Sequence, residues 1–185
     1  MKKFAPVLVA AAAAGLLALP ASARAQAFVQ AETGLDSISV GGESDEGLSY
    51  GVTAGYDMPL SNGMFVGIQG TVADSTTKEC ASAGTERACV KTGRDLSAVV
   101  RLGTALSETS KLYVLGGYTN ARLRLTYTDG TDSYSEGANG DGFRVGAGYQ
   151  QDLGQNLFVK AEYRYSNYES DFSRHNAIVA LGAKF

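Results

Sequence analysis

The stretch HNAIVALGAKF, residues 175–185, decides the fold. Counted back from Phe185, every second position is apolar or small: Ala183, Leu181, Val179, Ala177. Lys184, Gly182, Ala180, Ile178 and Asn176 stand between them. A period of two belongs to a β-strand with two unlike faces. A last strand that pairs with the first needs nothing after it, so an alternating run that stops on Phe185 predicts a sheet closed on itself.

The same period recurs upstream. Ala27, Val29, Ala31, Thr33 and Leu35 alternate with Phe28, Gln30, Glu32 and Gly34, and Leu48, Tyr50, Val52, Ala54, Tyr56 and Met58 with Ser49, Gly51, Thr53, Gly55 and Asp57. Five more runs follow, through Val66–Val72, Leu96–Leu102, Leu112–Tyr118, Phe143–Tyr149 and Val159–Tyr165. With the closing run this predicts eight strands. Their connections differ in length. Pro59–Gly63, Ala105–Ser110 and Leu153–Asn156 read as short turns. Ser37–Gly47, Asp74–Gly93 and Arg122–Gly140 read as long polar loops, and the connection around ESDFSR as an intermediate one. The 23 glycines and 10 tyrosines, with no long helical pattern, fit an all-β chain.

At the other end, Lys2 and Lys3 precede an apolar run from Phe4 to Leu19, then Pro20 and ASARA. This predicts a secretory signal peptide over residues 1–25, cleaved after Ala25 or alternatively after Ala23, and one barrel domain over residues 26–185. Removing Lys2, Lys3 and Arg24 lowers the basic count from 16 to 13 against 19 acids, taking the net charge from −3 to −6. An exported acidic chain without a basic stripe argues against a nucleic-acid partner.

Alternation alone fits either a soluble sandwich or a membrane barrel. The signal peptide, the even strand count, the unequal connections and Phe185 favour an eight-stranded antiparallel up-and-down transmembrane β-barrel. GYTNAR (117–122), FRVGAGYQ (143–150), KAEYRYSNYE (160–169) and the closing stretch resemble the small outer-membrane barrels of alphaproteobacteria. These belong to the broad family of the outer membrane protein A transmembrane domain and the opacity-type surface antigens. The resemblance implies a cell outer-membrane location, a monomer with both termini in the periplasm, contact with outer-membrane lipid and lipopolysaccharide, and biogenesis by the barrel-assembly machinery with Phe185 as its signal. It implies no cofactor. The role it implies is structural or surface-interactive, adhesin-like or in envelope integrity, with acidic loops offered to a host or envelope partner. The rivals are a narrow porin-like channel, a lipid A-modifying enzyme and a soluble lipocalin-like binder.

The minority face carries the charges. Arg101, Arg144, Lys160, Arg164 and Lys184 are expected inside, with Glu32, Asp57, Asp95 and Glu162. An eight-stranded barrel is only wide enough for its own side chains, so these groups are expected to pair in a packed core rather than line a pore. Cys80 and Cys89, with eight residues between them in one loop of an exported chain, predict a disulfide. No metal site is expected. His175 is the single histidine; Ala177 stands where a lipid A-trimming His-x-Ser motif would place serine, so no catalytic residue is assigned. Acids expected in the loops are Asp36, Glu43, Asp45, Glu46, Asp129, Asp132, Glu136, Asp141, Glu169 and Asp171. Aromatic belts are expected from Tyr56, Tyr149 and Phe185 at one end and Tyr50, Tyr118, Phe143 and Tyr165 at the other.

Overall fold

A computed structural model describes residues 26–40, 43–83, 86–129, 132–169 and 172–185. The signal peptide expected over 1–25 lies outside them. The strands are β1 (Gln26–Val40), β2 (Glu43–Pro59), β3 (Met64–Ser75), β4 (Lys78–Ala83), β5 (Glu86–Ala105), β6 (Ser110–Asp129), β7 (Asp132–Asp152), β8 (Leu157–Tyr168) and β9 (Phe172–Lys184). Eight of them form the wall in the order β3-β2-β1-β9-β8-β7-β6-β5, and β3 pairs with β5 to close the ring. β4 stands outside that ring and, among the described residues, pairs only with the upper part of β5.

The last strand does meet the first: Phe28 pairs with Lys184 and Val40 with Phe172. The Phe185 amide also donates to the Ala27 carbonyl at 2.9 Å. Following paired neighbours once round the wall from Phe28, through Gly55, Gln69, Val99, Gly117, Arg144, Ser166 and Arg174, leads back to β1 at Ile38. The register has advanced from 28 to 38, ten residues. At about 3.3 Å per residue and about 4.8 Å between strands, this stagger tilts the strands by about 40°.

Alternation sorts the side chains as expected. Val29, Val52, Ile68, Val100, Val114, Val145, Val179 and Leu181 face outward and are exposed. Phe28, Glu32, Asp57, Arg101, Arg144, Lys160, Glu162 and Arg164 face inward and are buried. An exposed apolar wall around a buried charged interior is the reverse of a soluble protein and suits a hydrocarbon solvent. Inward glycines make room for the rings inside. A Cβ on Gly148 would stand 2.3 Å from the Tyr113 ring, and one on Gly182 would stand 2.2 Å from the Phe158 ring.

The long polar loops are corrected. Ser37–Gly47 is mostly hairpin, with β1 and β2 paired to Val40 and Glu43. The other two stretches are taken up by β4, the start of β5, the end of β6 and the start of β7. β5, β6 and β7 run 20, 20 and 21 residues, more than the 9–11 a membrane needs. In β5, Gly93 and Arg94 stand opposite the single residue Arg122 of β6. This bulge twists the strand where the wall passes into a sheet that continues beyond the barrel. The short turns are as expected; at β2–β3, Asn62 and Gly63 take positive φ (62° and 75°).

Candidate functional site

Two features of the barrel carry chemistry: its charged lumen and the sheet that projects past the long-hairpin end. In the lumen, strand tilt brings together residues far apart in sequence. Arg164 on β8 forks onto Glu32 of β1, Nη1 to Oε1 at 2.6 Å and Nη2 to Oε2 at 2.9 Å. Its Nε donates to Glu162. Thr53 Oγ1 and Gln30 Nε2 each donate to Glu32 Oε2 at 2.9 Å, and the Tyr113 hydroxyl donates to Glu162. Two carboxylates therefore share one guanidinium, and hydroxyl and amide donors add to it.

Nearer the long-hairpin end lies a second network. Arg174 donates from Nε and Nη2 to Asp36 at 2.6 and 2.8 Å, and from Nη1 to Asp95 at 2.8 Å. Arg144 Nη2 meets Asp95 Oδ2 at 2.5 Å, while its Nη1 and Nε donate to Ser97 and Ser166. Asn176 and Ser75 also donate to Asp36. Above this network Tyr168 and Phe172 stack at 4.3 Å beside Ile38 and Ala121, an apolar lid on the lumen.

Asp36 is expected in a loop, and Arg174, the last residue of ESDFSR, in the intermediate connection. Both are buried: Asp36 is an inward residue of β1, and Arg174 of β9. Continuing the even-numbered inward sets, from Glu32 to Asp36 and from Lys184 down to Arg174, finds them. At the short-turn end Lys184 pairs with Asp152, and Lys111 approaches Asp57 at 3.9 Å. Between the two ends, Arg101 lies 3.2 Å from Asp57, and Lys160 lies over the rings of Phe28, Tyr113 and Phe158.

On the outer surface, Tyr50, Tyr118 and Phe143 are exposed towards the long-hairpin end and Tyr149 and Phe185 towards the other, while Tyr56 and Tyr165 of the expected belts are half-buried and Tyr163 is exposed in the middle of β8. The His175 Nδ1 lies 2.6 Å from the Tyr163 hydroxyl, and its ring packs 5.0 Å from that of Tyr165. Histidine and tyrosines together form one patch of an aromatic belt. Above it, Asn120 and the Tyr118 hydroxyl bond to the Asp141 carboxylate. The Tyr118 bond, then that of Asn120, holds this carboxyl below its usual range. Asp45, Glu46 and Glu169 also lie at this end.

Beyond the lid, β7 leaves its neighbour. It pairs with β6 from Asp129↔Asp132 onward, but with β8 only from Gly142↔Tyr168. Among the described residues no strand pairs along Asp132–Gly140 on the side away from β6. The Glu169 amide donates to the Asp141 carbonyl, so odd-numbered residues of β7 turn their backbone groups to that side. Ser135, Gly137 and Asn139 thus present an open sheet edge, with Tyr134 beside them 67% exposed. On β4 and β5 the register sets Cys80 directly opposite Cys89. Paired Cα atoms in an antiparallel ladder stand about 4.5–5.5 Å apart, within the span a disulfide bridges.

A family model described as the outer membrane protein beta-barrel domain matches residues 9–185. No curated protein matches. Among solved structures, Ail, the attachment invasion locus protein of Yersinia pestis, in complex with the heparin analogue sucrose octasulfate, is 16% identical with a TM-score of 0.63; the match covers 88% of this chain and 99% of that one. Neisserial surface protein A is 17% identical over 86% and 97% of the two chains, with a TM-score of 0.59. A major outer membrane protein from Thermus thermophilus is 15% identical over 87% and 99%, with a TM-score of 0.57. At these identities the likeness is one of fold.

Proposed function

The chain belongs to the outer membrane protein β-barrel family, and we propose that in the outer membrane it serves as a surface-interaction protein whose contact element is the open edge of β7 outside the cell. One observation carries this reading: a strand edge that projects beyond the barrel and lacks a partner among the described residues. Exposed edges hydrogen-bond extended segments of other chains by strand addition, and proteins that do not use them normally blunt them. The segment Asp132–Gly140 carries Asp132 and Glu136 and no lysine or arginine. Asp141 and Glu169 lie close by, and the Arg122 guanidinium of β6 lies against Gly137, so the edge offers an extended segment charges of both signs beside its backbone groups. The lumen serves this role as a rigid core that holds the edge clear of the membrane.

Proline tests the edge selectively, because it removes a backbone donor and is tolerated at sheet edges. Ser135→Pro combined with Asn139→Pro should leave the barrel folded and heat-modifiable on gels. It should also abolish capture of surface partners that the folded wild-type barrel retains from host-surface and envelope extracts. Equal capture by both proteins would remove the edge from the account.

The same reading makes Cys80 and Cys89 a disulfide that ties the β4–β5 hairpin outside the cell. Closing so short a ring contributes about 2–3 kcal/mol to the local order of the hairpin. Cys80→Ser with Cys89→Ser should keep heat-modifiability, because the wall carries the fold, and should make Lys78, Arg87 and Lys91 better trypsin sites. Free thiols titrating in the native protein would reject the bond.

A further inference from the structure

The lumen is electrically lopsided. In its outer half three cations, Arg144, Arg164 and Arg174, face four carboxylates, Glu32, Asp36, Asp95 and Glu162, and every one of those carboxylates touches an arginine. In the half nearer the short turns the balance reverses. Four cations, Arg101, Lys111, Lys160 and Lys184, stand there with two carboxylates, Asp57 and Asp152, among the described residues, and Glu162, already held by Arg164, is shared with Lys160 across the boundary.

The unmet hydrogen-bonding capacity lies with that excess of positive charge. Arg101 is 0% exposed and Lys160 2%, yet the Nε, Nη1 and Nη2 of Arg101 and the Nζ of Lys160 have no hydrogen-bond partner among the described residues. Nη1 is 3.2 Å from Asp57 Oδ1 without making a hydrogen bond to it. The other unpaired oxygens, of Gln30 and Gln69, sit on neighbouring strands at nearly the same level. The two cations share their aromatic neighbours. Arg101 Cζ is 5.0 Å from the Phe28 centroid and 4.1 Å from that of Tyr113. Lys160 Nζ is 4.7 Å from the same Phe28 centroid and 5.6 Å from Tyr113. The charges are therefore no more than 9.7 Å apart in a buried interior, where like charges repel more strongly than in water. Ring faces offset part of that cost. Water satisfies N–H groups, whereas an anion also balances the charge of a protonated Lys160. The eight N–H donors of an arginine and a lysine far outnumber the lone oxygens around them.

The geometry points to an internal anion site, in which Arg101 and Lys160 hold a small monovalent inorganic anion of the halide class. Phe28, Phe65, Tyr113 and Phe158 occupy the surrounding lumen, which restricts the ligand to a single compact ion. The mouth beside Lys111 and Lys184 draws anions in from the short-turn end, and the outer half, with its excess of carboxylates, turns them back. This site stands apart from whatever the β7 edge binds.

Bromide is the probe, because it is both a halide and an anomalous scatterer. The thermal midpoint of the detergent-folded barrel should rise and saturate with sodium bromide, relative to sodium gluconate at matched ionic strength, as expected for a ligand bound only by the folded state. Lys160→Met should remove that response, and so should Lys160→Gln. Crystals grown in bromide should show one anomalous peak within hydrogen-bonding reach of both Arg101 and Lys160. Equal midpoints in the two salts, an undiminished response in the Lys160 variants, or bromide found only elsewhere would overturn the site. If neither variant folds, the anomalous map of the wild-type protein decides alone.

Discussion

Replacing Arg164 by methionine should lower the stability of the detergent-folded barrel by about 3–5 kcal/mol, the cost of stripping one partner from a buried ion network. Methionine keeps much of the side-chain volume, so the loss reports charge rather than a cavity. Without the guanidinium, Glu32 and Glu162 stay buried as two carboxylates that lack their shared cation. Their hydroxyl and amide donors, Thr53, Gln30 and Tyr113, offset only part of that charge. Adding Glu162→Gln to Arg164→Met removes one of the stranded charges and should recover part of the loss. The denaturant midpoints of the wild type and the two variants measure both effects. A midpoint unchanged by Arg164→Met would mean that the lumen is wet enough to screen these charges.

Ala161→Arg should destabilise by about 2–4 kcal/mol, the cost of an arginine near the middle of the lipid face of a barrel. Ala161 precedes Glu162 on β8 and points the opposite way, exposed, among Tyr149, Val159 and Val179. It can be compared with Asn167→Arg, outward on the same strand near its long-hairpin end, where the cost should fall to about 0–1 kcal/mol. Equal costs at the two positions would contradict the placement of β8 across hydrocarbon.

These two substitutions rest on the part of the fold that was legible in the sequence. Within the membrane one face meets lipid and the other the lumen, so every second side chain carries information. The inward set from Glu32 to Lys184 follows from the period alone. Beyond the hydrocarbon both faces of a strand meet water and the alternation fades. That is why the start of β7, DSYSEGANG, reads as a loop although it is a paired strand. Asp36 and Arg174 escape the pattern for a related reason: they sit at the margin, where an acid and a base suggest solvent. The partners inside the lumen were not legible either. Arg164 meets Glu32 across 132 residues of chain, a contact fixed by the ten-residue stagger of the closed wall rather than by any local pattern. That the Lys160 ammonium is left without a hydrogen bond among the described residues appears only when the halves of the lumen are laid out in space.

The central claim is that the lumen is a packed, ion-paired core and that the working surface lies outside it. Conductance across a planar bilayer tests this most directly, because networks joining β1, β5, β7, β8 and β9 stand across any path for ions. Reconstituted wild-type barrel should leave the current at baseline over a wide range of voltage. Reproducible single-channel steps that scale with protein would contradict the account and make the lumen itself the functional site.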